Sequence, residues 1–239
     1  MAGLVGLFLL PVALAAADDL VDEALQASQP YRTALHHDPG LRVPLERLLE
    51  VYAGRWPDLV GLYDAHVRRY PADGGARAVL VQILQRVEPG RSRRFLAESV
   101  AACPQHPYLH YLQAKALRDR QPERARVALL TAVRGTPVAE RRRDWGQELV
   151  ELCARSEDAA ALDEALAAWG LADAAIADRL AVAATLLRHR ATDALRRVLN
   201  EGWPQVGGDQ AVQRELLLAR AAAARPRAAS GTSASTPTA

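Results

Sequence analysis

Residues 106–137 read HPYLHYLQAKALRDRQPERARVALLTAVRGTP, and this stretch carries the clearest local pattern in the chain. Pro122 suits the first position of a helix, and Gly135 followed by Pro137 is typical of a helix end. In the first half, apolar residues recur at the intervals that align side chains along one face of an α-helix. They are Leu109, Leu112, Ala116 and Leu117. The stretch therefore predicts helices over residues 108–120 and 123–133, with a short turn between them.

Prolines recur along the chain at nearly equal distances, which predicts that this two-helix unit is repeated. They are Pro39, Pro71, Pro104, Pro137 and Pro204. Successive gaps are 32, 33, 33 and 67 residues, and the last gap is close to two periods. A fixed period of this length is typical of repeat arrays, in which each unit is one small supersecondary element.

The unit at residues 106–137 resembles the tetratricopeptide repeat family. The resemblance rests on small or apolar residues where the paired helices of that family approach each other, and on the closing proline: Ala114, Leu117, Ala125, Leu129, Ala132 and Pro137. The two preceding units share this spacing, with Leu59, Tyr63, His66 and Pro71, then Ser92, Leu96, Ser99 and Pro104. The resemblance covers residues 40–137. Beyond them the register breaks, and we expect only helical hairpins, with helices at 144–156, 159–169, 174–189, 191–201 and 209–224.

The resemblance implies an all-α fold, a right-handed α-solenoid of antiparallel helical hairpins over residues 18–224. Composition agrees with a helical chain, because 50% of the residues are hydrophobic, only 5% are aromatic, and Ala and Leu are strong helix formers. The net charge of +2 gives no basic stripe of the kind that nucleic-acid binders carry, so no nucleic-acid partner is expected. Residues 225–239 have nothing to bury, and we expect a disordered tail.

Residues 1–17 have two interpretations. Residues 2–17 are uncharged and apolar and end in alanines that resemble a secretory cleavage site, which indicates a bacterial periplasmic or envelope location. Alternatively they form the first helix of another repeat, because Ala27, Tyr31 and Pro39 have the spacing of a second helix, although Pro30 opposes that helix. A cytoplasmic location is then the alternative. The apolar run is short for a membrane-spanning helix, which needs about 20 residues, so any membrane association is expected through this segment only.

We expect neither enzymatic activity nor a cofactor, because the sequence contains no catalytic motif. His106 and His110 have the spacing of two metal ligands on a helix, but Pro107 starts that helix and leaves His106 at its cap, so no metal site is expected. Cys103 and Cys153 are either two packed thiols or, in an oxidising compartment, one disulfide bridge.

Three consecutive arginines, Arg141 to Arg143, lie at the expected start of a helix. Positive charge at this end opposes the helix dipole. Either hydration or an anionic partner would relieve the conflict.

Tyr108, Tyr111, Lys115 and Arg118 share the helix face opposite the leucine stripe, because their offsets from Tyr108 are 3, 7 and 10. Tyr and Arg are the residue types that most often dominate binding energy. The resemblance implies that this face lines a concave, peptide-binding groove; an ordinary polar helix face is the alternative.

We expect a non-enzymatic scaffold, adaptor or assembly factor with a protein or peptide partner. The alternative function is a permanently bound structural subunit of a larger envelope complex.

Overall fold

The computed structural model describes residues 10–156, 158–200 and 208–223, and every regular element within them is helical. The prediction of an all-α chain is therefore confirmed. The chain divides into two compact units, Met1–Thr136 and Pro137–Ala239. The first unit contains α1 (Leu10–His37), α2 (Arg42–Val51), α3 (Trp56–Arg69), α4 (Gly74–Val87), α5 (Pro89–Ala102), α6 (Pro107–Leu117) and α7 (Pro122–Gly135). The second contains α8 (Ala139–Ala154), α9 (Ala159–Trp169), a 3₁₀ turn (Leu171–Asp173), α10 (Ile176–Arg188), α11 (Thr192–Asn200) and α12 (Asp209–Ala223).

Local sequence sets the start of four helices in the first unit. Pro89, Pro107 and Pro122 occupy the first turn of α5, α6 and α7, where the missing N–H would have had no partner within the helix. Asp73 caps α4, because its Oδ1 accepts a hydrogen bond from Ala76 N at 2.8 Å. The role predicted for Pro122 is confirmed.

The core of the first unit forms between helices that follow one another in the sequence. α1 packs on α2, α3 on α4, α4 on α5, and α6 on α7. One apolar cluster joins side chains of α1 to α4, and another joins side chains of α4 to α6. Small side chains leave room for tight packing between neighbouring helices. The small residues predicted at these positions are buried: Ser92, Ser99, Ala114, Ala125 and Ala132.

The prediction for α6 is wrong in two details. The helix ends at Leu117, earlier than expected, since an exposed turn leads from it to α7. Of the residues predicted to share one face, Leu109 and Leu112 are buried, but Ala116 is exposed, because it lies in the last turn of α6 beside that exposed turn. Ala114 is the buried alanine of this helix.

α1 is one continuous helix from Leu10 to His37, and it passes through Pro30. Between these two residues there is no turn of the kind that a two-helix unit needs. Residues 1–9, which carry half of the apolar segment, and the predicted tail at 225–239 lie outside the described residues. In the part of the chain that is described, no helix combines the length and the apolar character needed to cross a membrane.

The second unit is organised around α8 and α10, which pack on each other. α9 packs on α8, and α11 and α12 pack on α10 and on each other. Large apolar side chains fill the space between these helices, among them Trp145, Leu149, Trp169, Leu186 and Leu195. The four helices predicted beyond residue 158 are confirmed, with ends that differ from the prediction by at most two residues.

α8 begins at Ala139, earlier than predicted, so the three arginines lie in its first turns. One of them has carboxylates beside it: Arg143 Nε lies 3.3 Å from Asp144 Oδ1 and 3.9 Å from Asp178 Oδ1. The hydrogen bond to Asp144 and the nearby Asp178 charge raise the pKa of Arg143. For Arg143, carboxylates of this unit therefore offset part of the positive charge at the start of the helix.

Two close contacts shape the turn between α9 and α10. A Cβ atom on Gly146 would lie 2.5 Å from Trp169 Cδ1, so the absence of a side chain lets the indole pack against α8. Arg179 is only 1% exposed. Its Nε donates to the Ala174 carbonyl at 3.1 Å, and its Nη2 donates to the Leu171 carbonyl at 2.6 Å. The guanidinium thus supplies donors to two carbonyls of the turn, of which Leu171 O also accepts a longer hydrogen bond from Ala174 N at 3.4 Å.

Candidate partner-binding surface

The position of α6, which carries most of the predicted binding residues, is fixed by a contact with α4. His106 precedes α6 with an extended backbone at φ −87° and ψ 106°. Its ring lies against Gly74, where an added Cβ would come within 2.6 Å of the imidazole. Because Gly74 has no side chain, the starts of α4 and α6 approach closely.

Three of the four predicted binding residues form a continuous row along α6. The ring centres of Tyr108 and Tyr111 are 5.8 Å apart. Lys115 Nζ lies 5.8 Å from the centre of the Tyr111 ring, which is within the range of a cation–π contact. Both tyrosines are half-buried, and Lys115 is exposed. The row therefore presents aromatic surface and a positive charge side by side.

Arg118, the fourth predicted residue, directly follows the last residue of α6. Its backbone is still helical, at φ −46° and ψ −46°, and its side chain is half-buried. It therefore lies about one helical turn beyond Lys115, in line with the row. The structure thus places all four residues in one row along α6 and its C-terminal end.

Gln82 of α4 extends this row, and the sequence analysis missed it. The Tyr108 hydroxyl donates to Gln82 Oε1 at 3.2 Å. Gln82 Nε2 in turn donates to the Pro39 carbonyl at 2.8 Å, so one amide joins α4 to α6 and to the turn after α1. The signal was present in the sequence: Gln82 is a polar residue inside the apolar run VLVQIL. We call the surface formed by Gln82, Tyr108, Tyr111, Lys115 and Arg118 the tyrosine face.

The histidines and cysteines considered in the sequence analysis lie elsewhere. The His106 ring packs on Gly74, whereas His110 Nε2 lies 2.8 Å from the Pro104 carbonyl. Among the described residues, no group of three or more His, Cys, Asp or Glu side chains is arranged to hold a metal ion. Cys103 and Cys153 are both buried and form no disulfide bridge, which agrees with the first of the two alternatives.

Comparison of the chain with models of protein families, with curated proteins and with solved structures gives no match in any of the three. The resemblance to tetratricopeptide repeats therefore rests on the residues quoted above and stays a prediction. What the chain can bind has to be argued from its own surface.

Proposed function

We propose that the protein is a non-enzymatic scaffold, adaptor or assembly factor that holds a peptide or protein segment on the tyrosine face. The proposal includes the arrangement expected from the sequence, a right-handed solenoid of antiparallel hairpins whose concave side carries this face. The observation that carries the proposal is the unbroken row of Tyr108, Tyr111 and Lys115 on one side of α6.

The residue types in this row suit protein recognition. A tyrosine offers a large apolar area with few rotatable bonds to immobilise, together with a hydroxyl for hydrogen bonding. Lys115 and Arg118 add positive charge, which favours a partner segment with carboxylates and speeds its association. The Tyr108–Gln82 hydrogen bond holds the first ring in place before any partner arrives, and such pre-organisation lowers the entropic cost of binding.

Binding should depend on Tyr111 and Arg118, and alanine substitutions test this. Neither side chain belongs to the buried core, so Tyr111→Ala and Arg118→Ala should fold normally and each weaken partner capture by about tenfold or more. Tyr70→Ala is the matched control, because Tyr70 is an exposed tyrosine at the end of α3. The measurement is quantitative pull-down from native extract together with far-UV circular dichroism. Unchanged capture by both folded variants would contradict the proposal.

A permanent structural subunit is the second candidate, and exposed apolar residues favour it. On α12, Val212 is 68% exposed and Leu216 is 49% exposed, and their spacing places them on one side of the helix. A helix that closes an array normally has a polar outer face. Co-purification separates the two functions: a stoichiometric partner that resists high salt indicates a subunit, and a partner lost in salt indicates an adaptor.

The compartment follows from the N-terminal segment and is part of the proposal. Cleavage of the apolar segment would place the protein in the periplasm or at the envelope, and retention of the segment favours the cytoplasm. Mass spectrometry of protein purified from its native cell decides between them. A first residue near Asp18 indicates export, and an intact Met1 contradicts it.

A further inference from the structure

A cavity of about 270 Å³ lies between α1, α3 and α4, outside the tyrosine face. Apolar side chains form much of its wall, and most of them are buried: Leu35, Tyr63, Ala76 and Val79. Arg32, His36 and His66 also line it, so positive and polar groups stand beside the apolar surface. Its volume is close to the lower end of the roughly 300–1,000 Å³ typical of ligand pockets, which suits a single ring or a branched aliphatic chain.

Arg32 brings a positive charge that no acidic side chain neutralises. Its Nε donates to Ser28 Oγ at 3.1 Å, and its Nη2 donates to the Leu25 carbonyl at 2.9 Å. Among the described residues, no carboxylate lies within ion-pair distance of this guanidinium. The two bonds hold the guanidinium against α1 and leave further N–H donors for a ligand.

Tyr63 supplies a hydroxyl to the same cavity. The residue is only 8% exposed, and in the described part of the chain its hydroxyl has no hydrogen-bond partner. Burial raises the pKa of Tyr63 well above its ordinary value, despite the nearby Arg32 charge. The phenol therefore keeps its proton and can donate a hydrogen bond.

Asp73 is the acidic group next to the cavity, and its oxygens are already engaged. Oδ1 accepts from Ala76 N at 2.8 Å, while Oδ2 lies 2.9 Å from His66 Nε2 and 3.9 Å from His36 Nδ1. These contacts orient the two imidazoles and occupy both oxygens of Asp73. The carboxylate therefore does not compete for Arg32.

We propose that this cavity binds a small carboxylate whose other end is an aromatic ring or a branched aliphatic group. The carboxylate accepts hydrogen bonds from Arg32 and Tyr63, and the apolar end packs against Leu35, Leu62 and Val79. A guanidinium is suited to this ligand because its planar N–H groups match the geometry of a carboxylate. Either a free carboxylic acid or the last residue of a peptide has this chemistry.

The experiment compares phenylacetate with its uncharged analogue phenylacetamide, using chemical shifts of the backbone amides of the full chain. Phenylacetate should give saturable shifts at Leu62, Tyr63 and Val79. Phenylacetamide should bind at least about tenfold more weakly. Arg32→Gln should weaken phenylacetate binding by a similar factor. Arg47→Gln, which alters an exposed arginine of α2 paired with Glu50, should leave it unchanged.

Two further arms make the outcome decisive. Tyr63→Phe removes only the hydroxyl and should weaken binding several-fold, which keeps the test valid if Arg32→Gln does not fold. The tripeptide acetyl-Gly-Gly-Phe, with a free or an amidated C-terminus, replaces phenylacetate in the second arm. Binding of the free peptide but not of phenylacetate supports the proposal and identifies a chain terminus as the source. Equal binding of acid and amide overturns it, and so does the absence of saturable shifts with phenylacetate and with the free peptide.

Discussion

The α4–α7 part of the first unit and the α8–α10 part of the second bring their helices together by different means. In the first, prolines start three successive helices, and small residues such as Ser92 and Ala125 fill the narrow spaces between them. In the second, an indole packs on Gly146 and the buried guanidinium of Arg179 satisfies the turn carbonyls. Both regions use a glycine to admit a ring, His106 on Gly74 and Trp169 on Gly146, but only the second also depends on a buried charged side chain.

This difference has an energetic consequence. Contacts between helices through many small residues distribute stability over several positions, so the loss of one has a limited effect. A buried charged group that satisfies two carbonyls concentrates stability at one position, because its removal leaves polar atoms buried without partners. Substitutions in the two regions should therefore differ in size.

The largest effect is expected at Arg179. Arg179→Met leaves the Ala174 carbonyl without its donor and the Leu171 carbonyl with only the longer hydrogen bond from Ala174 N at 3.4 Å, which should lower the free energy of unfolding by about 2–3 kcal/mol. Urea denaturation followed by tryptophan fluorescence measures this, because Trp145 and Trp169 are buried in the second unit. Arg188→Met, at an exposed position of α10, should change stability by less than about 0.5 kcal/mol. Equal effects of the two variants would show that the turn does not depend on Arg179.

The next largest effect is expected at Gly146, against which the Trp169 indole packs. Gly146→Ala introduces a Cβ 2.5 Å from Trp169, and overpacking of this kind costs about 1–3 kcal/mol. Gly61→Ala in α3 is the control, because the added Cβ meets nothing within 4 Å. This substitution should stabilise the helix by about 0.5–1 kcal/mol. The two substitutions should thus have opposite signs in thermal unfolding. Stabilisation by both would mean that the indole moves away from α8 without cost.

Two buried serines of α5 test the first region, and the expected changes in stability are smaller. The Ser92 hydroxyl donates to the Val81 carbonyl at 3.2 Å, so Ser92→Ala should lower stability by about 1 kcal/mol. Ser99 Oγ is buried with no hydrogen-bond partner in the described residues, so Ser99→Ala should raise stability by up to about 1 kcal/mol. Chemical denaturation of the pair, side by side, checks the difference. The idea fails if Ser99→Ala is the more damaging change.

The smallest effect concerns Asp73 and depends on pH. Burial would raise the pKa of Asp73, but hydrogen bonds from Ala76 N and His66 outweigh it and hold the pKa below its ordinary value. A carboxyl with a lowered pKa stabilises the fold at pH values above its unfolded pKa of about 4, and this contribution is lost as pH falls through the folded pKa. Asp73→Asn retains a helix cap. The variant has no carboxylate charge, so its free energy of unfolding should lie below that of wild type at pH 6 and approach the wild-type value near pH 3. Urea midpoints across this range measure it, and a constant difference would exclude the linkage.

Local patterns in the sequence predicted what depends on neighbouring residues. Helix starts at prolines, buried small residues and the row on α6 all follow from spacing along a single helix. Gln82 was missed because its partner at Pro39 lies 43 residues away, and no periodicity indicates such a contact. Arg179 was missed for the same kind of reason, since its identity says nothing about the carbonyls it meets after folding. Ala116 shares the apolar face of α6 but is exposed, because spacing within one helix does not show where that helix leaves its neighbours.

Lys115 has a practical consequence, because it is the only lysine in the chain and it is exposed beside Tyr111. An amine-selective reagent therefore has one side chain to modify, in addition to the amino terminus. A fluorophore or a photocrosslinker attached at Lys115 would stand on the tyrosine face itself. Acetylation at the same nitrogen would remove its charge while leaving the helix intact. The molecule thus offers a single-site chemical handle at the surface where its partner is proposed to bind.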